Sequence, residues 1–209
     1  MSGAGALTFQ EFTMHEPLPL ATIHDAVLNF MRDREDAVVF GAQAVNAYVN
    51  DPRMTQDIDL ISSRAAELAE ELRNYLSRRF HIAVRIREVG EGRGYRLFQV
   101  QKSGNRHLVD LRAAEKLPPA RRIAQVLVME PADLIASKVV SYHQRRGKPK
   151  SGSDWRDLAM LMLTFPELKR DPGPVSDRLQ AAGADSAVML VWAQLVASEI
   201  QPGNEDDEF

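Results

Sequence analysis

Residues 38–61 read VVFGAQAVNAYVNDPRMTQDIDLI. Ala37 to Phe40 is an apolar run stopped by Gly41, which fits a short buried strand. Gln43 to Val49 then reads as a helix that ends near Asp51-Pro52, because the residue before a proline is steered out of helical dihedrals. Asp57 to Ile61 alternates polar with apolar, the pattern of a half-buried strand. Alternate strand residues face the same way, about 6 to 7 Å apart, so Asp57 and Asp59 share one face while Ile58 and Leu60 pack on the other. Like charges that close repel wherever water is thinned out, so the pair needs either open solvent or a cation.

Working outward, residues 20–33 place Ile23, Val27 and Phe30 or Met31 at helical spacing. Ser62-Ser63 reads as the cap of a helix over RAAELAEELRNYLSRRF, whose Leu68, Leu72, Tyr75 and Leu76 form one apolar stripe. His81 to Val89 and Tyr95 to Gln101 alternate and are joined by GEGRG, the signature of a hairpin. His107 to Arg112 and Gln125 to Met129 are further short strands. The character changes at Glu130: Pro131 opens a helix through about Arg145, GKPKSGS makes a loop, Asp154 starts a second helix, PELKRDPGP breaks it, and residues 175–200 carry one or two more. The pattern predicts an α+β protein, with a small mixed-sheet core over residues 1–129 followed by an all-helical region over 130–209 and no clear linker between them.

Composition narrows the chemistry. Cysteine is absent, which excludes disulfides, thiolate metal sites and thiol nucleophiles. A net charge of -3 and a pI near 6.0 argue against a surface that coats nucleic acid everywhere, while leaving local basic patches open. No apolar run approaches the roughly 18 residues of a membrane span, and MSGAGALTFQEF lacks the features of a secretory signal, so the expected location is cytoplasmic. The terminal NEDDEF reads as a solvated tail.

Fifteen aspartates in 209 residues generate about one D-x-D by chance, so the acidic pair gains meaning only from its surroundings. Upstream, VVFGAQAV is a strand, a glycine and a helix start, which turns free backbone N–H groups toward an anion. Asp110 lies mid-strand in LVDLR, facing opposite Val109 and Leu111, where it would add a third hard oxygen ligand. Arg53 and Thr55 immediately precede the pair. This arrangement suits metal-assisted phosphoryl or nucleotidyl transfer. The alternative, a strand-end pair of aspartates in water, stays open on spacing alone.

At this point the residues resemble a family. GAQAVNAYVNDPRMTQDIDL is similar to the G-[GS]-x-A and R-x-T-x-D-I-D-L pattern of polymerase-beta-type nucleotidyltransferases, in particular the AbiEii-type toxins of type IV toxin–antitoxin systems and their MenT-like relatives. The likeness is close over residues 38–61, loose as far as Asp110, and resumes where ASKVVSYHQRRGKPKSGSDWRDL supplies a helical lysine, Lys138, followed by Asp154 and Asp157. The resemblance implies that Gly41 and Ala42 belong to a phosphate-facing turn, that Arg53 and Thr55 line the nucleotide site, and that Asp57, Asp59 and Asp110 hold magnesium or manganese. It further implies that Lys138 contacts nucleotide phosphate with Asp157 in support, that an NTP is the donor, and that tRNA is an acceptor and an antitoxin a partner. Ala42 departs from the pattern, since relatives often carry glycine or serine there. Two alternatives follow: a nucleotidyltransferase fold that binds without turning over, or one that acts on a protein or a small molecule.

Read without the resemblance, Lys138 has Leu134 and Tyr142 one turn away on either side, which sets it on or beside the apolar stripe of its helix. Asp154 reads equally as an N-cap. Arg145, Arg146, Lys148 and Lys150 form a cationic loop that reads as solvated or as a phosphate contact. GEGRG joins two strands and so is no dinucleotide fingerprint, no GxxxxGK[ST] is present, and His107 and His143 lack metal-site spacing and read as ordinary structural residues. Trp155 and Trp192 read as helix packing residues.

Overall fold

A computed structural model describes residues 18–102 and 104–201; the NEDDEF tail and the N-terminal MSGAGALTFQEF stretch lie outside the described residues. The α+β reading holds. The chain runs α1 (Leu20–Phe30), β1 (Ala37–Phe40), α2 (Gly41–Asn46), β2 (Ile58–Ser62), α3 (Ala65–Phe80), β3 (Val84–Val89), β4 (Gly94–Gln101), β5 (Gly104–Ala113), β6 (Ala120–Ile123) and β7 (Val126–Met129), then α4 (Pro131–Gln144), α5 (Lys150–Thr164), α6 (Pro174–Ala181) and α7 (Ser186–Ala197). The strands form one seven-stranded mixed sheet in the order β3-β4-β5-β2-β1-β7-β6. β1 runs antiparallel to β2, while β2 is parallel to β5 and β1 parallel to β7.

The strand registers sort the side chains. Ile86 is opposite Leu97, and Leu97 opposite Val109; this face is covered by α3, whose Leu68, Leu72 and Leu76 are fully buried. The other face of the same strands carries Arg85 opposite Phe98, Arg87 opposite Arg96, and Arg96 opposite Asp110. α4 packs against α5, α6 and α7 and reaches α2. Buried residues of the sheet and of the helices after Glu130, including the fully enclosed Trp192, belong to one continuous apolar cluster. Among the described residues no helix is long and apolar enough to cross a membrane.

Several boundaries differ from the sequence reading, each for a local reason. Helix α2 starts two residues early, directly at Gly41, whose positive φ of 68° makes the corner out of the extended Phe40. Ser62 closes β2: its hydroxyl donates to the Asp36 carbonyl at 2.7 Å and accepts from the Arg64 amide at 3.0 Å, so it locks a turn, and the cap position falls to Arg64 with no side-chain bond. Strand β6 (ARRI) escapes notice because its turn to β7 uses Ala124 and Gln125 at positive φ, where the usual glycine or asparagine signal is missing. Helix α5 begins at Lys150, which places Asp154 inside the helix and removes it from the N-cap.

Candidate active site

Strand β1 and helix α2 meet at Gly41, and β2 brings Asp59 opposite Phe40. The approach is so close that a Cβ at position 41 would fall 2.0 Å from Asp59 Oδ2. Glycine is required here twice over, by its left-handed dihedral and by the carboxylate seated against its Cα. The parallel register of β2 and β5 then pairs Asp59 with Asp110, so these two acids stand side by side on one face. Asp57 lies just before β2.

The electrostatics centre on Asp59. Burial, then the neighbouring Asp57 and Asp110 carboxylates, push its pKa up to about 6, against the opposing charges of Arg112 and Lys138. Asp57 is turned toward His107, whose Nδ1 lies 2.9 Å from its Oδ2. That bond holds Asp57 below the usual carboxylate range, with help from the charges of Lys150 and His24, and it raises His107 in return. The His107 ring stacks on Phe98 at 4.9 Å between centroids. Asp110 Oδ2 is 3.4 Å from Arg96 Nε. Burial depresses His24, which also lies in the field of Asp57, and its Nε2 is enclosed without a partner among the described residues.

The donor chemistry of Asp57, Asp59 and Asp110 fits a hard divalent cation, and the raised Asp59 pKa is the response of a carboxyl group first desolvated and then opposed by like charges. Asp57 and Asp110 are meanwhile engaged by His107 and Arg96, and no three His, Asp or Glu side chains among the described residues are gathered as a closed ligand cage.

A second constellation ties the loop before β2 to the helices. Asn46 Nδ2 donates to the Arg53 carbonyl at 2.8 Å and its Oδ1 accepts from the Arg53 amide at 3.0 Å. The Arg53 guanidinium then makes a two-pronged pair with Asp157, at 2.7 and 2.8 Å. Lys138 Nζ donates to the same carboxylate at 2.6 Å and lies 3.7 Å from Asp154, which Arg145 reaches at 3.0 Å. Burial would raise the wholly enclosed Asp157, but its bonds to Arg53 and Lys138 outweigh that and hold it low. Thr55 Oγ1 donates to Gln43 Oε1 at 3.3 Å. Ala42, half-buried in the first turn of α2, offers no side-chain polar atom.

The structure sets Gly41 against Asp59, pairs Asp59 with Asp110 across the strands, and brings Asp57 and Lys138 near enough for their charges to act on Asp59, while Arg53 and Lys138 share the Asp157 carboxylate. His107 and Arg112 are the residues the sequence reading missed. Strict alternation back from Asp110 puts position 107 on the opposite face; the register shift opposite Leu97/Phe98 reverses that parity and turns the imidazole toward Asp57. A bulge leaves no mark in the residue pattern of β5.

Two solved structures share the fold. The Megavirus polyadenylate synthase matches with a TM-score of 0.58 at 15% identity over 73% of this chain, and the chain spans only 32% of that enzyme. JHP933 from Helicobacter pylori matches with a TM-score of 0.52 at 12% identity, over 91% of this chain and 92% of that one. No curated protein matches in sequence. The family model described as nucleotidyl transferase AbiEii toxin, type IV TA system, matches residues 26–188. A match over so much of the chain, which takes in the glycine corner, the acidic strands and the Lys138–Asp157 helices, establishes that the protein belongs to the AbiEii nucleotidyltransferase family.

Proposed function

We propose that the protein is a metal-dependent nucleotidyltransferase that moves a nucleoside monophosphate from an NTP to an acceptor hydroxyl. The observation that carries this reading is the half-buried Asp59 carboxyl, set against Gly41 and lifted to about pKa 6 by desolvation and then by the Asp57 and Asp110 charges. A half-buried carboxyl whose charge is opposed by two neighbouring carboxylates is costly to ionise unless a cation neutralises it. When bound, magnesium or manganese supplies Lewis-acid charge neutralisation at such a site, and Asp57, Asp59 and Asp110 are the residues that would hold it.

In the reaction the acceptor oxygen bonds to the α-phosphorus, the bond from that phosphorus to the β-bridging oxygen breaks, and pyrophosphate departs. Asp110, partly exposed beside Asp59, takes the hydroxyl proton. Lys138 presents positive charge to the phosphates from within its pairing with Asp157, and Arg53 fixes the loop that carries Thr55. In the cell the protein acts as the toxin of a pair opposed by a separate antitoxin, in the cytoplasm, with tRNA as acceptor; family membership is the support for this part of the reading.

The test is incubation with labelled NTPs, magnesium, and total RNA or protein. Label in tRNA is the expected outcome. Label in protein or a small molecule changes the acceptor, and tight NTP binding with no transfer anywhere overturns the enzymatic reading. Asp57→Asn is expected to abolish metal-dependent transfer with little loss of thermal stability. Lys138→Ala is expected to weaken NTP binding, read by calorimetry.

A further inference from the structure

The face of the sheet turned away from α3 carries an ordered gradient of side chains. One cross-strand row runs Arg87, Arg96, Asp110, Asp59 across β3, β4, β5 and β2. The next row runs Arg85, Phe98, His107, and His107 meets Asp57. Three inter-strand spacings separate β3 from β2, about 14 Å. Arg85 and Arg87 are exposed, and neither makes a salt bridge among the described residues. Arg87 and Arg96 are directly opposed, an arrangement that costs stability in a sheet, and among the described residues Asp110 is the only acid paired with either. Val89 and Val100, 37% and 45% exposed, lie on the same face by strand alternation, and Phe98 is half-buried there with its ring on His107.

This segregation occurs in a chain whose net charge is -3, so it is not a by-product of a basic composition. Arg96 reaches Asp110 at 3.4 Å, but Arg85 and Arg87 lie farther out on the sheet and make no salt bridge among the described residues, which leaves their charge for a polyanion. Across the cleft, the exposed Lys150 is close enough to lower the Asp57 pKa, so the acidic centre has positive charge on both sides. Arginines for phosphates interleaved with apolar and aromatic surface for bases is the chemistry of single-strand recognition.

We infer that the open face of β3–β4–β5 is the docking surface for the acceptor, and that the acceptor is the single-stranded end of a nucleic acid laid across Arg85, Arg87, Arg96 and Phe98 with its terminal hydroxyl at Asp59 and Asp110. The inference rests on the nucleotidyl-transfer reading for the direction of the strand, and on the register of the sheet for its place. RNA and DNA ends share the phosphate chemistry; RNA is distinguished by its 2′-hydroxyls.

The test compares the full chain with R85E/R87E, with R85K/R87K, and with R78E/R79E, which makes the same change of net charge on exposed positions of α3 behind the sheet. Binding of total tRNA and of a single-stranded DNA oligomer is followed by fluorescence anisotropy from 50 to 300 mM salt, without NTP; the melting temperature checks folding. R85E/R87E is expected to weaken binding at least about tenfold and to flatten the dependence of log K on log salt by about 0.7 for each phosphate no longer neutralised. R85K/R87K and R78E/R79E are expected to stay near the parent. Equal weakening by R78E/R79E, or no binding of either nucleic acid by the parent, overturns the surface. Transfer to a protein or small molecule overturns it too and leaves the transferase reading standing, whereas Arg85/Arg87-dependent binding without any transfer upholds the surface and removes that reading.

Discussion

Gly41 and Asp59 are in contact to the exclusion of any side chain: the space a Cβ would take at position 41 is occupied by the Asp59 carboxyl group, 2.0 Å from that atom to Oδ2. The backbone at 41 adds a φ of 68°.

Gly41→Ala therefore combines a backbone strain of about 1–3 kcal/mol with a clash that displaces the central acid. The expected result is a lower denaturation midpoint together with loss of transfer and of magnesium binding, read by chemical unfolding and calorimetry. Retention of metal binding by the variant would show that Asp59 can move away from Gly41 without consequence.

Asp59 imposes a pH dependence of calculable sign. In the folded protein its proton is held to about pH 6, against an ordinary value of 3.8, so between these limits the folded state binds more protons than the unfolded chain and stability falls as pH rises. A shift of this size corresponds to a change on the order of 3 kcal/mol. Asp59→Asn, followed by urea unfolding in EDTA, is expected to remove that decline and to be more stable than the parent at pH 8. Adding magnesium is expected to narrow the gap by stabilising the parent alone.

Asp157 is wholly buried and answers two cations. Asp157→Ala leaves the buried Lys138 with only the longer 3.7 Å contact to Asp154 among the described residues and is expected to cost about 3 kcal/mol. Replacing Lys138 and Asp157 together by Met and Leu is expected to recover most of that loss, because no buried charge is then left alone. A double variant no more stable than Asp157→Ala would assign the loss to packing instead of charge.

Ala42→Ser restores a hydroxyl in the first turn of α2. If that turn faces the triphosphate, the added bond to a charged group is worth about 1.5 kcal/mol, roughly a tenfold lower Kd for NTP by calorimetry. An unchanged Kd would mean that the phosphates sit elsewhere.

What could be read from the residues is decided by how local the cause is. The strand at Ala37–Phe40, the corner at Gly41 and the shared face of Asp57 and Asp59 follow from alternation and one glycine within a few positions. The Asp59–Asp110 register is non-local, but both strands declare themselves, and only their adjacency had to be supplied by the fold. His107 was hidden by a bulge whose cause lies in the pairing of β4 with β5. Asp154 was misplaced because SGS extends the helix upstream to Lys150, although loop composition marks those residues as a break. β6 and its turn of two positive-φ non-glycines break the propensity rules outright, and only tertiary contacts, such as the Asp33 amide donating to the Gln125 carbonyl at 2.9 Å, hold them.

The clasp between Arg53 and Asp157 joins positions 104 residues apart. A ribosome that has released every strand of the sheet has yet to synthesise the carboxylate that secures the segment leading into the acids. The nascent chain therefore acquires its scaffold first and its ordered cleft last, and a polypeptide interrupted before α5 carries the three aspartates without the latch that sets the loop beside them.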